Sequence, residues 1–255
     1  MGKGVIWVKG QNEVFLRNKG FILFQILLYA VFLTLDITGL HNTLSIYVKY
    51  IVVILCFCYA LFQRRSDNKG IVFSYKAALL FTVISDFFIL ITDHYYYGVL
   101  TFIVVQIFYT VALLQFHTKG GILIKKMSIS LIKRLLAVII VIILLDNFDV
   151  TLDRLLIVSV IYFVFILSNT ITAVKMAFGS PNNKSLLLFA IGMVLFVLCD
   201  INVGLFNMSA FIPLPANLAR IIYEFSSILM WTFYAPSQVL ITLCVSILPS
   251  KASRV

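Results

Sequence analysis

Eight stretches of mainly apolar residues dominate the chain: 21–40, 44–63, 71–92, 95–116, 131–147, 153–177, 186–207 and 221–247. A helix needs about 20 such residues to cross the hydrocarbon core of a bilayer. Hydrophobic residues make up 62% of the 255 and charged residues only 12%, where a soluble domain is about half apolar and a quarter charged. The chain therefore reads as all-α, a polytopic transmembrane bundle of eight spans. The fifth stretch is the shortest and ends at Asp146. The first lies too deep in the chain, with no small-residue cleavage site, to be a signal peptide. Residues 1–20 read as a basic interfacial segment, 21–248 as one eight-helix domain and 249–255 as a short basic tail.

The net charge of +10 would raise nucleic acid as a partner in a soluble chain. Here the basic residues fall between apolar spans, and topology accounts for them. Orientation follows from Lys and Arg in short loops. Sixteen fall on one side, among them Arg64, Arg65, Lys125, Lys126, Lys133 and Arg134, against Arg154 and Arg220 on the other. Lys49 and Lys76 lie inside spans, near enough to the ends to snorkel. The asymmetry puts both termini in the cytoplasm, which requires an even number of spans. The expected location is a bacterial cytoplasmic membrane. Cys56, Cys58, Cys199 and Cys244 all lie in apolar spans and read as small buried hydrophobes. Neither they nor His41, His94 and His117 have metal-ligand spacing, so no metal site is expected.

The acids are the costly residues. A carboxylate inside a membrane helix is a functional-site hypothesis by default. Asp86 stands in Leu80-Phe81-Thr82-Val83-Ile84-Ser85-Asp86, and Asp200 in Leu195-Phe196-Val197-Leu198-Cys199-Asp200. Both fall in the outer half of spans running the same way, as do Asp36 and Asp146. Asp146, Asp149 and Asp153 read as solvated loop charges, and Glu224 as the partner of Arg220 four residues earlier.

Residues three and four apart share a helix face. Glu224, Ser227, Trp231, Tyr234 and Gln238 form such a stripe on the eighth helix. Gly98, Phe102, Gln106 and Tyr109 do so on the fourth, and Ser159, Tyr162, Phe165, Asn169 and Thr172 on the sixth. Polar groups in lipid must find partners inside the protein, so the stripes are expected to converge on one internal polar cavity. The plainer reading of Ser, Thr, Asn and Gln is interhelical glue, and Tyr95, Tyr96 and Tyr97 read as an interfacial belt. Pro236 lies within the eighth span and frees a carbonyl near Tyr234 and Gln238. The two aspartate helices also hint at a parallel four-plus-four repeat, with a one-residue gap between the halves.

The third, fourth, seventh and eighth spans resemble the YhhN family of lysoplasmalogenases. That family has Gly-Asp or Ser-Asp in an apolar helix, here Ser85-Asp86. A Gly-x3-Phe-x3-His-x2-Tyr helix follows, here Gly98, Phe102, Gln106 and Tyr109. Its second Ser-Asp resembles Cys199-Asp200, and its Tyr-x3-Gln-x-Leu-Ile pattern resembles Tyr234 to Ile241. Gln106 replaces the family's common His, and Cys199 its Ser. The resemblance implies hydrolysis of the vinyl ether bond of a lysoplasmalogen, with no metal or organic cofactor. Asp86 and Asp200 would be the catalytic pair, and Gln106, Tyr109, Tyr234 and Gln238 would bind substrate or water. The chemistry needs one neutral carboxyl to protonate the β carbon and one carboxylate to support the cation and activate water. The partner would be a lysophospholipid or another single-chain amphiphile drawn from membrane lipid, with no nucleic acid involved.

Two other readings use the same acids. A non-enzymatic transporter or lipid-binding protein would also need intramembrane carboxylates and polar stripes. A sensor is disfavoured because only seven residues follow Leu248. The last span has no lysine for a retinal Schiff base, and no Ser, Cys or His sits in a nucleophile context.

Overall fold

A computed structural model describes residues 2–63, 68–117, 121–148 and 150–248, with side chains at 18–63, 68–116, 122–148 and 150–248. Most of the basic amino-terminal segment, Arg64, Arg65, Lys119, Asp149, the side chain of His117 and the tail 249–255 lie outside the described side chains. Among the described residues there is no strand. Eight helices follow one another: α1 Gly2–Thr38, α2 Asn42–Leu61, α3 Lys69–Asp86, α4 Tyr95–His117, α5 Gly121–Asn147, α6 Arg154–Gly179, α7 Lys184–Phe206 and α8 Ala216–Ser246. All eight carry segments long and apolar enough to cross a membrane.

The helix ends follow local chemistry. Asn68 caps α3, its Oδ1 accepting from the Ile71 N–H at 3.4 Å. Asn183 caps α7 in the same way through Leu186 at 3.3 Å, and Asp153 caps α6 through Leu156 at 2.7 Å. Each side chain takes up an N–H that has no partner within its helix. Gly39, at φ 66°, ends α1 in the left-handed region that glycine enters freely. Lys76 reaches the end of α2, its Nζ 2.9 Å from the carbonyls of both Leu61 and Gln63.

Six helices form a ring in the order α2, α3, α4, α6, α7, α8, with α8 closing on α2. The other two lie outside it: α1 against α2 and α8, α5 against α6 and α4. The halves α1–α4 and α5–α8 are thus arranged alike, as the parallel repeat predicts. Ring helices bury large side chains such as Tyr75, Tyr109, Phe189, Phe196 and Met193. The outer faces of α1 and α5 carry exposed Leu, Ile and Phe, as lipid-facing helices do. Below, the proximal end is where α3, α5 and α7 begin; the distal end is where they finish.

Two expectations need correction. The fifth span begins at Gly121, not 131. Lys125 and Lys126 are therefore helical rather than loop residues, and Lys133 and Arg134, counted among the loop charges, lie well inside the helix. Lys125 and Lys126 stay near the proximal end, but Arg134 is the middle residue of the 27-residue α5 and only 5% exposed. Nor does Lys49 snorkel. It is 8% exposed, and its Nζ lies 2.7 Å from Asp36 Oδ2. Ser45 Oγ donates to Asp36 Oδ1 at 2.5 Å, and Trp231 covers the ammonium at 5.1 Å. An ion pair inside lipid needs its charges matched by such partners. By contrast, Glu224 pairs with Arg220 at 2.8 Å on an exposed face, as its spacing predicts.

Pro236 leaves α8 continuous from Ala216 to Ser246. A proline withholds the hydrogen bond to the carbonyl four residues back. That carbonyl belongs to Thr232, and the Tyr29 hydroxyl of α1 donates to it at 3.5 Å.

Candidate functional site: two carboxyl–phenol pairs

The distal end of α3 is irregular just after its acid. Phe87–Ile91 form a π-helical turn, with the Thr92 N–H bonded to the Phe87 carbonyl at 3.2 Å. Such turns are rare and concentrate at functional sites. α4 packs directly on this turn through Gly98. A Cβ on Gly98 would stand 2.4 Å from Ile89 Cγ1 and 3.3 Å from the Ser85 carbonyl. Ser85 Oγ donates to the Gly98 carbonyl at 2.6 Å. Two residues of the sequence pattern, Ser85 and Gly98, thus act by locking α4 against the helix that holds Asp86.

Asp86 is buried, and its Oδ2 accepts from the Tyr234 hydroxyl of α8 at 2.7 Å. Asp200 is half-buried on α7, and its Oδ2 accepts from the Tyr162 hydroxyl of α6, also at 2.7 Å. Among the described residues neither carboxyl has a cationic partner. The two pairs share an aromatic wall. Tyr234 meets Phe196 edge-on at 5.3 Å, Phe196 meets Phe102 at 5.7 Å, and Phe102 meets Tyr162 at 5.6 Å. The two carboxyl–phenol pairs thus meet one aromatic wall, each acid held by its own phenol rather than by the other.

The halves differ here by one residue. Asp86 stands 17 residues after Lys69, the first of α3, and Asp200 stands 16 after Lys184, the first of α7. One residue turns a helix by about 100°. The acids consequently point to non-equivalent neighbours, α8 for Asp86 and α6 for Asp200.

The other expected site residues lie one or more helical turns proximal to this pair. Gln106 is fully buried, and Asn169 Nδ2 donates to its Oε1 at 2.9 Å and to its carbonyl at 2.8 Å. Tyr109 is fully buried between Tyr75 at 6.1 Å and Phe189 at 5.3 Å. Gln238 is fully buried on α8, and neither its Oε1 nor its Nε2 has a hydrogen-bond partner among the described residues. The six expected residues thus divide into a carboxyl level (Asp86, Asp200, Tyr234) and a proximal level (Gln106, Tyr109, Gln238).

Sequence reasoning left Tyr162 out of the site, although its place on the sixth-helix stripe was the available signal. It also missed Arg134. Arg134 Nη1 donates to Thr110 Oγ1 at 2.6 Å, Nη2 to Asn169 Oδ1 at 2.8 Å and Nε to Ser168 Oγ at 3.1 Å. Its guanidinium lies 4.9 Å from the Phe165 ring. These contacts tie α5 to α4 and α6 by neutral acceptors alone. Arg134 was counted with the basic charges of one membrane face although it falls within 131–147, and nothing in its surroundings marked it as buried.

Neither curated proteins nor solved structures give a significant match. Ser85, Asp86, Gly98, Asp200 and Tyr234, the sequence pattern noted above, gather on facing helices of one ring. The model of the YhhN family matches residues 18–245, nearly the whole chain, and the chain belongs to that family.

Proposed function

We propose that the protein is a membrane hydrolase cleaving the vinyl ether bond of lysoplasmalogen-type lysophospholipids, with Asp86 and Asp200 as its acid and base. The observation that carries this reading is the pair of carboxyls joined to one aromatic wall, each positioned by a phenol (Tyr234 and Tyr162) and neither neutralised by a described cation. An ion-paired carboxylate could not deliver a proton. A carboxyl held only by a phenol in a low-dielectric site can exist in its neutral form.

The chemistry closes with these groups alone. One carboxyl donates its proton to the β carbon of the vinyl ether, leaving positive charge shared by the α carbon and the ether oxygen. The other, as carboxylate, stabilises that cation and takes a proton from the water that adds to the α carbon. The hemiacetal then breaks its bond to the ether oxygen, which leaves protonated as the glycerophospho-alcohol, and a fatty aldehyde remains. One water is consumed and no net proton. Phe196 and Phe102, buried between the two phenols, supply an apolar surround that keeps the acids out of bulk water. Gln106, Tyr109 and Gln238 offer polar atoms next to it for water or headgroup. The enzyme would act from the plane of the membrane, with both termini cytoplasmic.

The test is aldehyde release by purified full-length protein in lipid nanodiscs given lysoplasmalogen, beside the ester lysophospholipid. The expected result is aldehyde from the vinyl ether alone, lost in Asp86→Asn and in Asp200→Asn. Binding of the lipid without aldehyde would overturn the hydrolase reading in favour of a lipid-binding or transport role.

A further inference from the structure

Proximal to Asp86 the ring contains polar side chains that the protein itself does not satisfy. The Tyr75 and Tyr109 hydroxyls, Ser237 Oγ, both amide atoms of Gln238 and Thr242 Oγ1 are all buried without a hydrogen-bond partner among the described residues. Tyr75 lies beside the Cys244 thiol, Tyr109 beside Thr82, and Thr242 beside Cys56, none of them in hydrogen-bond geometry. Native proteins leave very few buried polar atoms unpaired, and in lipid the cost of each is several kcal/mol. Where such atoms cluster, ordered water is the usual partner.

The cluster has direction. Tyr234, Gln238, Thr242 and Ser246 recur at every fourth position of α8, and all four are buried. Tyr234 holds Asp86 at one end of this ladder. At the other, Ser246 accepts from Asn18 Nδ2 at 3.3 Å, and Asn18 accepts from the Tyr59 hydroxyl. Ser246 is the last residue of α8, which finishes at the proximal end, so the ladder ends at the proximal face. Twelve residues of helix cover about 18 Å. On facing helices Thr82 stands one turn before Asp86, and the Tyr75 and Tyr109 rings lie 6.1 Å apart.

We infer that α8, with Tyr75 and Tyr109, lines a hydrated column joining Asp86 to the proximal face of the bundle, through which water enters and protons exchange. Its role in turnover rests on the hydrolase reading. Each cycle consumes one water, and leaves the donor carboxyl without its proton and the base carboxyl with one to give up. The column supplies the water and lets Asp86 exchange its proton with the aqueous phase, taking one up if it is the donor and releasing one if it is the base.

Radiolytic hydroxyl-radical footprinting of the full chain in nanodiscs, read residue by residue by mass spectrometry, tests the column without using activity. Radicals formed from internal water label adjacent tyrosines however deeply they are buried. Tyr75 and Tyr109 are expected to be labelled, and that labelling is expected to be lost in a folded Gln238→Leu/Thr242→Val variant and kept in Thr242→Ser. Tyr75 and Tyr109 staying unlabelled while Tyr95 and Tyr97 react would overturn the column. So would labelling that persists unchanged in the double variant. With lysoplasmalogen as substrate, the double variant should lower kcat roughly tenfold. A dry column with aldehyde formed sinks this inference and spares the hydrolase. A wet column without aldehyde does the reverse.

Discussion

The Tyr234 hydroxyl donates to Asp86 Oδ2 across 2.7 Å, joining residues 148 positions apart in the chain. The bond ties the distal end of α3, where the helix relaxes into a π turn, to the middle of α8, two residues before Pro236. It also leaves the second oxygen of Asp86 oriented by a fixed partner, as a proton donor or acceptor must be.

Tyr234→Phe removes that hydroxyl and keeps the ring against Phe196 and Trp231. A hydrogen bond to an ionisable group contributes about 1.5–3 kcal/mol, so vinyl ether hydrolysis should fall roughly 10- to 100-fold, mainly in kcat. Tyr162→Phe should do the same through Asp200. Steady-state aldehyde formation by both variants, with melting temperatures showing them folded, checks this. Native kcat in either would remove its phenol from the site.

Gly98→Ala places a Cβ against Ile89 and against the Ser85 carbonyl. The Ile89 side chain can move and the backbone cannot, so α4 must retreat from the π turn. Overpacking of this kind costs about 1–3 kcal/mol. Thermal unfolding in nanodiscs should show the loss, and Ile89→Ala added to Gly98→Ala should restore part of it. A double variant no more stable than the single would mean that the contact with Ile89 is not what requires glycine.

The Arg134 network should respond asymmetrically. Asn169→Leu takes acceptors from a buried guanidinium, and stranding a buried charge costs about 3–5 kcal/mol. Arg134→Met removes the charge itself, and Thr110, Asn169 and Gln106 can still bond to one another, so it should cost less. Melting temperatures of the two variants decide the point. A larger loss in Arg134→Met would show the cation to be a net stabiliser.

The Lys49–Asp36 pair should show strong coupling. Asp36→Asn strands Lys49 beside Phe32 and Trp231, again at about 3–5 kcal/mol. Asp36→Asn combined with Lys49→Met should recover most of the stability. Additive losses in this double-mutant cycle would mean that the two charges do not depend on each other.

Much of this molecule is set by sequence alone, because lipid leaves a chain few options. Eight apolar runs fixed eight helices, and the rule that buried polar groups need partners marked the faces that meet. Asp86, Asp200 and Tyr234 were legible because a carboxylate or a polar stripe inside an apolar run is too costly to be incidental. The Arg220–Glu224 pair was legible because it is local. The acids' partners were not. Tyr234 and Tyr162 both lay on polar stripes, but which acid each would meet depended on how far along its helix that acid stood. One residue, turning Asp200 about 100° relative to Asp86, sent the two acids to different neighbours. Arg134 was illegible for the opposite reason. Its sequence surroundings are basic, as in a loop, and only the packing of α5 across α4 and α6 supplies the neutral acceptors that let a guanidinium lie in mid-membrane. Sequence determined which segments enter the membrane and which residues are expensive there. Tertiary structure decided who shares that expense, because hydrogen bonds between helices depend on rotation and register, which helical periodicity alone does not fix.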